Sequence, residues 1–389
     1  VTIYLDHNAT TPVAPSVTDA MLPYFGEHFG NPSSDHSVAQ APRAAIARAR
    51  GQLAQLLGAG DEEMIFTSGG SEANNMALKG VMFQHPPAST HLVISNFEHP
   101  ATIQPALFLE RMGYQLTRVP VNAAGVVDPQ QVADALRPTT RLVSIMHANN
   151  EIGTLQPIRE IADLCHSRDV LVHSDAAQSM GKLAVKVDQL GVDMLSIAGH
   201  KMYAPKGVGA LYLRSGLQLE PLIHGANHEG GRRAGTENTA YWVGLGEAAR
   251  RAEQQLPQAG DQLGRLRDLL LELLESETGR QLSVNGAAAD RLPNTLSVNF
   301  PEVIGSELLA RTDQICASTG AACHSGETRL SDTLLAIGLD PEQARGTVRL
   351  SLGWSTSQDD VTTAARMLAA AWRELSSGNL SDSSQADDG

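Results

Sequence analysis

Cysteine is scarce in this sequence. The 389 residues hold three, Cys165, Cys316 and Cys323. That count is too low and odd for a disulfide framework and suits a reducing cytoplasm. There is no C-x-x-C, no H-E-x-x-H and no zinc-ribbon spacing, so a metal site has no support. Aromatic residues make up only 4%, so the core must rest on Ala, Val, Leu and Ile. Basic residues are outnumbered, 29 against 43 acidic ones, for a formal net charge of -14. That balance argues against nucleic acid or an anionic membrane as a partner. No apolar run is long enough to span a bilayer. Residues 1–7 show no basic region followed by an apolar one, so no secretory signal is expected. Neither G-x-x-x-x-G-K-[ST] nor a post-strand G-x-G-x-x-G occurs, which disfavours a nucleotide.

The chain is 42% hydrophobic and 19% charged, ordinary for a soluble enzyme, and its length suits two domains. Apolar strand-like runs at 64–67, 92–96, 115–121, 141–147, 170–174, 194–198 and 208–213 alternate with amphipathic stretches. This alternation predicts an α/β domain with a mainly parallel sheet. After Gly246 the texture changes to a long charge-laced helix reaching about residue 278. Strands at 295–300 and 347–352 follow, with short helices and a last helix over 358–375. The expected division is a large domain, 16–255, and a smaller α+β domain from 1–15 and 256–375. The Ser- and Asp-rich stretch 376–389 lacks apolar anchors and reads as a disordered acidic tail.

Several polar groups follow the predicted strands. Lys201, in Gly199-His200-Lys201, sits just past the apolar run 192–197, where a lysine is costly unless paired or neutralised. It is either a loop lysine or an amine held for Schiff-base chemistry. The turn Ser68-Gly69-Gly70-Ser71 reads as a helix cap or as an anion site. Asp175 ends a strand, where open α/β sheets bind ligands. It either caps the next helix or pairs with a cationic cofactor nitrogen. Asn150 closes a turn or touches a cofactor. His99 is an inert loop residue or a stacking proton carrier. The loop 230–238 is solvated or binds an anion. Cys323 lies among small residues that give a nucleophilic thiol access, whereas Cys165 and Cys316 read as buried and inert. Arg349, inside a strand pattern, forms a salt bridge or holds a substrate carboxylate. Taken in chain order, these groups describe a pyridoxal phosphate site.

On those residues the sequence resembles the cysteine desulfurase and selenocysteine lyase family, within the class V aminotransferase group. The resemblance runs over about residues 4–375. Its motifs lie at 4–12, 30–34, 66–74, 147–153, 175–178, 199–201, 233–238 and 349–353. It implies the pyridoxal-phosphate-dependent transferase fold type I and a homodimer. Lys201 would carry the cofactor, Asp175 would pair with its ring nitrogen and Gln178 would bond its phenolic oxygen. His99 would stack on the ring and assist proton transfer, and Asn150 would touch cofactor or substrate. Gly70, Ser71 and His200 would hold the phosphate, Ala198 would line the cofactor site, and Thr236 would reach in from the neighbouring subunit. Arg349 and Asn31 would bind the substrate carboxylate. Cys323 would accept sulfur from L-cysteine as a persulfide, leaving L-alanine, and pass it to an acceptor thiol or protein, as in iron–sulfur cluster assembly. The loop 320–325 is nearer the selenocysteine-lyase form, so release of selenide from L-selenocysteine is the alternative reading. A plain aminotransferase, with Cys323 incidental, and a non-catalytic cofactor-binding scaffold are further alternatives. Many relatives carry Arg where this chain has Trp354, which bears on the site rim.

Overall fold

The computed structural model describes residues 2–319, 321–324 and 327–383, with side chains for 2–319 and 330–377. A short strand β1 (Ile3–Tyr4) precedes helices α1 (Pro15–Met21) and α2 (Gln40–Leu57). Strands and helices then alternate: β2 (Met64–Thr67), α3 (Gly70–Met82), β3 (His91–Ser95), α4 (Pro100–Arg111), β4 (Gln115–Val119) and α5 (Pro129–Ala135). They continue through β5 (Thr140–Ser144), α6 (Ile158–His166), β6 (Leu171–Asp175), α7 (Val187–Leu190), β7 (Met194–Ala198) and β8 (Gly209–Leu213). The seven strands of this sheet lie in the order β2-β8-β7-β6-β5-β3-β4. Only β8 runs against its neighbours. The carboxyl ends of β2, β3, β5, β6 and β7 therefore share one edge, the usual place for a ligand in an open α/β sheet.

Residues alternate between the sheet's faces with the strand period of two. Ile65 and Leu142 join the core under α3 and α4, while Phe66 and Val143 join the one under α2, α6 and a long helix α8 (Thr239–Thr278). The apolar runs at 115–121 and 141–147 outlast their strands. Beyond Ser144 the chain leaves the ladder, and Met146 and Ala148 line a cavity, which demands apolar residues there as the sheet does. Helix α8 begins at Thr239, before the glycines that masked it. At Gly246 a Cβ would meet the Ala49 Cα at 2.5 Å, so glycine lets α8 lie close on α2.

Past α8 come β9 (Ser283–Val284), β10 (Thr295–Asn299), α9 (Gly305–Ala310), β11 (Ile315–Cys316) and β12 (Ser318–Thr319). The hairpin β13 (Ala321–His324) and β14 (Glu327–Leu330), helices α10 (Asp332–Ala336) and α11 (Pro341–Arg345), strand β15 (Thr347–Ser351) and helix α12 (Gln358–Ser383) complete the chain. A second sheet has the order β12-β15-β10-β9, and β1 pairs in parallel with β11. A separate apolar core joins Ile3 and Leu5 to Leu263, Leu270, Leu350 and Trp372. The boundary expected near 255 falls inside the continuous helix α8, which contributes to this core and to the one under α2 and α6. Helix α12 runs past the expected end at Leu375 to Ser383, so 376–383 is helical rather than disordered; residues 384–389 lie outside the described residues. No helix among the described residues is long and apolar enough to cross a membrane.

Candidate active site

The five residues of β7 are all buried, and the chain turns immediately after them. At Gly199 a Cβ would meet the Val208 carbonyl oxygen at 2.8 Å, so only glycine permits the tight turn that follows. That turn aims Lys201 back along the sheet edge. Its Nζ donates to the carbonyl oxygens of Asn8 and Ala9, the latter at 2.8 Å. No carboxylate among the described residues bonds it in this arrangement. Burial pushes its pKa down to about 8; the Arg349 charge adds to this, and Asp6 and Asp175 oppose it. The amine is thus available as a nucleophile near neutral pH.

Asp175 ends β6 and is buried. Its Oδ1 accepts from the Ala177 N–H at 2.9 Å and its Oδ2 from the Asn74 amide at 2.7 Å. Three residues on, Gln178 donates to the Asn8 carbonyl oxygen at 2.9 Å. His99 caps α4 with Nδ1 accepting the Ala101 N–H at 3.1 Å, which leaves the neutral ring's proton on Nε2. The ring is open to the cavity, yet the protein around it displaces enough water to hold its pKa below the usual histidine value; Asp175 opposes that shift and Lys201 reinforces it. His200, bonded through Nδ1 to Thr10 Oγ1 at 3.2 Å, is pushed down to about 4, chiefly by burial.

These groups surround one cavity of about 290 Å³. Its walls include Gly70, Ser71, His99, Asn150, Asp175, Gln178, Ala198, His200 and Lys201. A second cavity of about 380 Å³ shares His99 and Asn150 with the first and holds Arg349. Arg349 donates to Asp6 Oδ1 at 2.6 Å, Ser318 Oγ at 2.9 Å and the Asn150 carbonyl oxygen at 3.0 Å, so the salt-bridge reading is realised here. Its Nε–H is buried with no partner, an unmet donor beside the cavity. Ser318 and Thr319, just before the β13–β14 hairpin, and Leu330, its last residue, line the same space.

Residues 3–363 match the family described as aminotransferase class-V. A cysteine desulfurase IscS of Dictyoglomus turgidum is 44% identical over 361 residues, covering 92% of this chain and 91% of its own length. One of Methanosarcina thermophila is 42% identical over 361 residues, covering 92% and 89%. The chain belongs to the cysteine desulfurase family of class-V aminotransferases. Among solved structures, a NifS-like protein aligns with a TM-score of 0.89 at 33% identity, covering 97% of this chain and 100% of its own. SspA, solved in complex with cysteine, aligns at 0.81 with 39% identity, covering 90% and 99%. The relatives named here are cysteine desulfurases, which favours the cysteine reading over the selenocysteine one.

Not every residue expected of a cysteine desulfurase reaches the cavity. Thr236 is exposed and absent from its walls. Asn31 is exposed too, with its Oδ1 accepting the Ser33 N–H at 3.0 Å. Their two loops touch, Ser33 Oγ lying 3.4 Å from the Glu237 carboxylate. The basic loop's Arg233 is committed to Glu72 at 2.9 Å. The backbone of Cys323 lies in β13, opposite Thr328; its side chain lies outside the described residues. Cys165 is buried and its thiol is pushed up to about 12, as suits an inert cysteine, while Cys316 is half-buried. Trp354 stands away from the cavity. It stacks on Tyr203 with ring centroids 4.0 Å apart at 19°, and its backbone N–H donates to the Tyr203 hydroxyl at 2.6 Å.

Sequence reasoning missed Asn8, Asn74 and Lys182. Asn74 lies one helical turn after Gly70, which is the signal that could have placed it on the cavity side of α3. Asn8 belongs to the first motif but carries no recognisable chemistry alone. The residues present fit pyridoxal phosphate, the cofactor that family membership implies. They offer an amine free of any carboxylate and a buried carboxylate at a strand end. The cavity also reaches the first residues of α3, where helix N–H groups are unpaired.

Proposed function

We propose that this chain removes sulfur from L-cysteine, giving L-alanine and a persulfide on Cys323 that an acceptor thiol or protein consumes. The observation carrying this reading is the wall of His99 and Asn150 shared by two cavities, one holding Lys201 and the other Arg349. Pyridoxal phosphate, when bound, supplies an electron sink that weakens the substrate's Cα–H and Cβ–S bonds. Asp175 would pair with its ring nitrogen, Gln178 would donate to its phenolic oxygen, the Gly70 N–H, Ser71 and His200 would hold its phosphate, and Ala198 would line the site. Thr236 completes that site from a second subunit of a homodimer.

Arg349 turns from Asp6 to the substrate carboxylate, with Asn150 assisting. Lys201 takes the Cα proton, and His99, neutral in the free site, adjusts the protonation of the substrate thiol. The Cys323 thiolate then attacks the substrate sulfur: an S–S bond forms as the Cβ–S bond breaks, and the released pair takes a proton to give the alanine methyl. The hairpin's position beside the Arg349 cavity supports this delivery. The separate apolar core around Leu263 and Leu350, apart from the two on the faces of the large sheet, supports a division into the large and small domains expected from the sequence, and the sparse cysteines support a cytoplasmic setting.

Borohydride reduction of the cofactor-loaded protein, followed by peptide mapping, tests the site; the label is expected on Lys201 and on no other lysine. L-Cysteine turnover tests the reaction. The intact chain should yield equal alanine and sulfide under a reducing thiol, and Cys323→Ala should lose nearly all of it. Release of keto acid with Cys323→Ala unaffected would instead make the chain an aminotransferase.

A further inference from the structure

Lys182 is one of the most deeply buried charged side chains in the molecule and bonds no carboxylate. Its Nζ donates to Gln178 Oε1 at 2.7 Å and to Asn8 Oδ1 at 2.8 Å. The charged groups acting on it are Lys201 and Arg349, both cationic, and His7 feels it in turn. Burying an amine in such company is costly, and an apolar residue of the same length would avoid that cost.

What a lysine offers here is polarity. Burial, with the Lys201 and Arg349 charges, pushes its pKa well below the usual lysine value, yet the amine still donates to both neighbours, whereas an amide can present either end. Gln178 therefore turns its oxygen toward Lys182 and its NH2 away from it. One of those hydrogens goes to the Asn8 carbonyl oxygen, which also receives Lys201 Nζ; the other is left for the cavity that Gln178 lines. Asn8 is oriented likewise. Its oxygen faces Lys182 and Asn294, and its NH2 faces Thr295 and the Asn150 carbonyl oxygen.

We propose that Lys182 is a positioning residue that locks the Gln178 amide with its N–H toward the cofactor's phenolic oxygen. The proposal rests on the pyridoxal phosphate reading above. Without Lys182 only the bond to the Asn8 carbonyl oxygen still orients the amide, so a flip that sets its carbonyl oxygen against the phenolic oxygen becomes easier. An N–H there stabilises the unprotonated form of the ring system, so its loss makes the proton bind more tightly.

The test is a pH titration of the cofactor's visible absorption band in the holoenzyme, without substrate. In Lys182→Met the midpoint is expected to rise by about one pH unit, roughly tenfold in proton affinity. In a Gln178→Ala background the same change should move the midpoint little, because Lys182 acts through that amide. Lys182→Gln, which keeps hydrogen bonding but is not restricted to donating, should give a smaller rise and covers the case in which the methionine variant does not fold. An unchanged midpoint, or the full shift in the Gln178→Ala background, overturns the proposal. So does a failure of both variants to fold, which would assign Lys182 to the fold alone. Wild-type protein that never develops the band when given pyridoxal phosphate fails the underlying reading, and this proposal with it, whereas a failure of Lys182's role shows only in the variants.

Discussion

Lys201 combines two conditions that rarely coexist, a half-buried position and freedom from any carboxylate bond. Both favour the uncharged amine. Only that form adds to an aldehyde, so uptake of pyridoxal phosphate by cofactor-free protein should accelerate as pH rises through about 8 and level off above it. Stopped-flow absorbance checks this, and a midpoint near the ordinary lysine value of 10.5 would refute it. Asp175 depends on its neighbours in a similar way. Asn74→Ala removes the donor to its Oδ2. A bond to a charged acceptor is worth roughly 1.5–3 kcal/mol, so kcat/KM for L-cysteine should fall roughly 10- to 100-fold. Recovery of most of that loss in Asn74→Gln, which keeps an amide donor on a longer arm, would place the effect on the bond; no recovery would place it on the geometry.

At the scale of elements, the turn after β7 is held from outside the sheet. Tyr203, two residues past Lys201, has a φ of 62°, in the left-handed region that non-glycine residues seldom adopt. The stack and hydrogen bond from Trp354 hold it there, and Trp354 lies just beyond β15, the strand that carries Arg349. Trp354 thus ties the turn of Lys201 to the strand of Arg349 rather than shaping the cavity wall. Trp354→Ala should cost about 2 kcal/mol from the lost stack and packing, read as a lower denaturation midpoint. It should also slow cofactor uptake, whereas Trp354→Phe keeps the stack and should recover most of both. Normal uptake in Trp354→Ala would show that the turn holds without its clamp.

Across the whole molecule, two segments bind the cores together. Residues 3–17 begin in the core around Leu263 and Leu350 with Ile3 and Leu5, pass the cavity at Ala9, and enter the core under α2 and α6 at Ala14 and Val17. Helix α8 does the same, with Leu245 in one core and Leu270 in the other. Damage to either core should therefore be felt by both. Leu270→Ala, in the core remote from the sheet, should destabilise by about 2–5 kcal/mol. Loss of the cofactor band and loss of helical circular dichroism should still occur in one transition. Separate transitions would mean that the cores melt independently.

The sequence alone determined the strands β2, β6, β7 and β8 nearly to the residue, because buried strands need unbroken apolar runs bounded by glycine and polar turns. It also named the cavity's chemistry, since Gly70, His99, Asn150, Asp175 and Lys201 each follow a strand end and parallel strands bring those ends to one edge. Only the tertiary structure decided which neighbours those groups would have. Lys182 meets Gln178 and Asn8, Asn74 meets Asp175, and Arg349 meets Asp6, through contacts between segments remote in the chain or through side-chain directions that spacing does not report. The same reason leaves Thr236 and Asn31 on the surface of a single chain: motif position names a residue's type, but the packing of loops decides which cavity it faces.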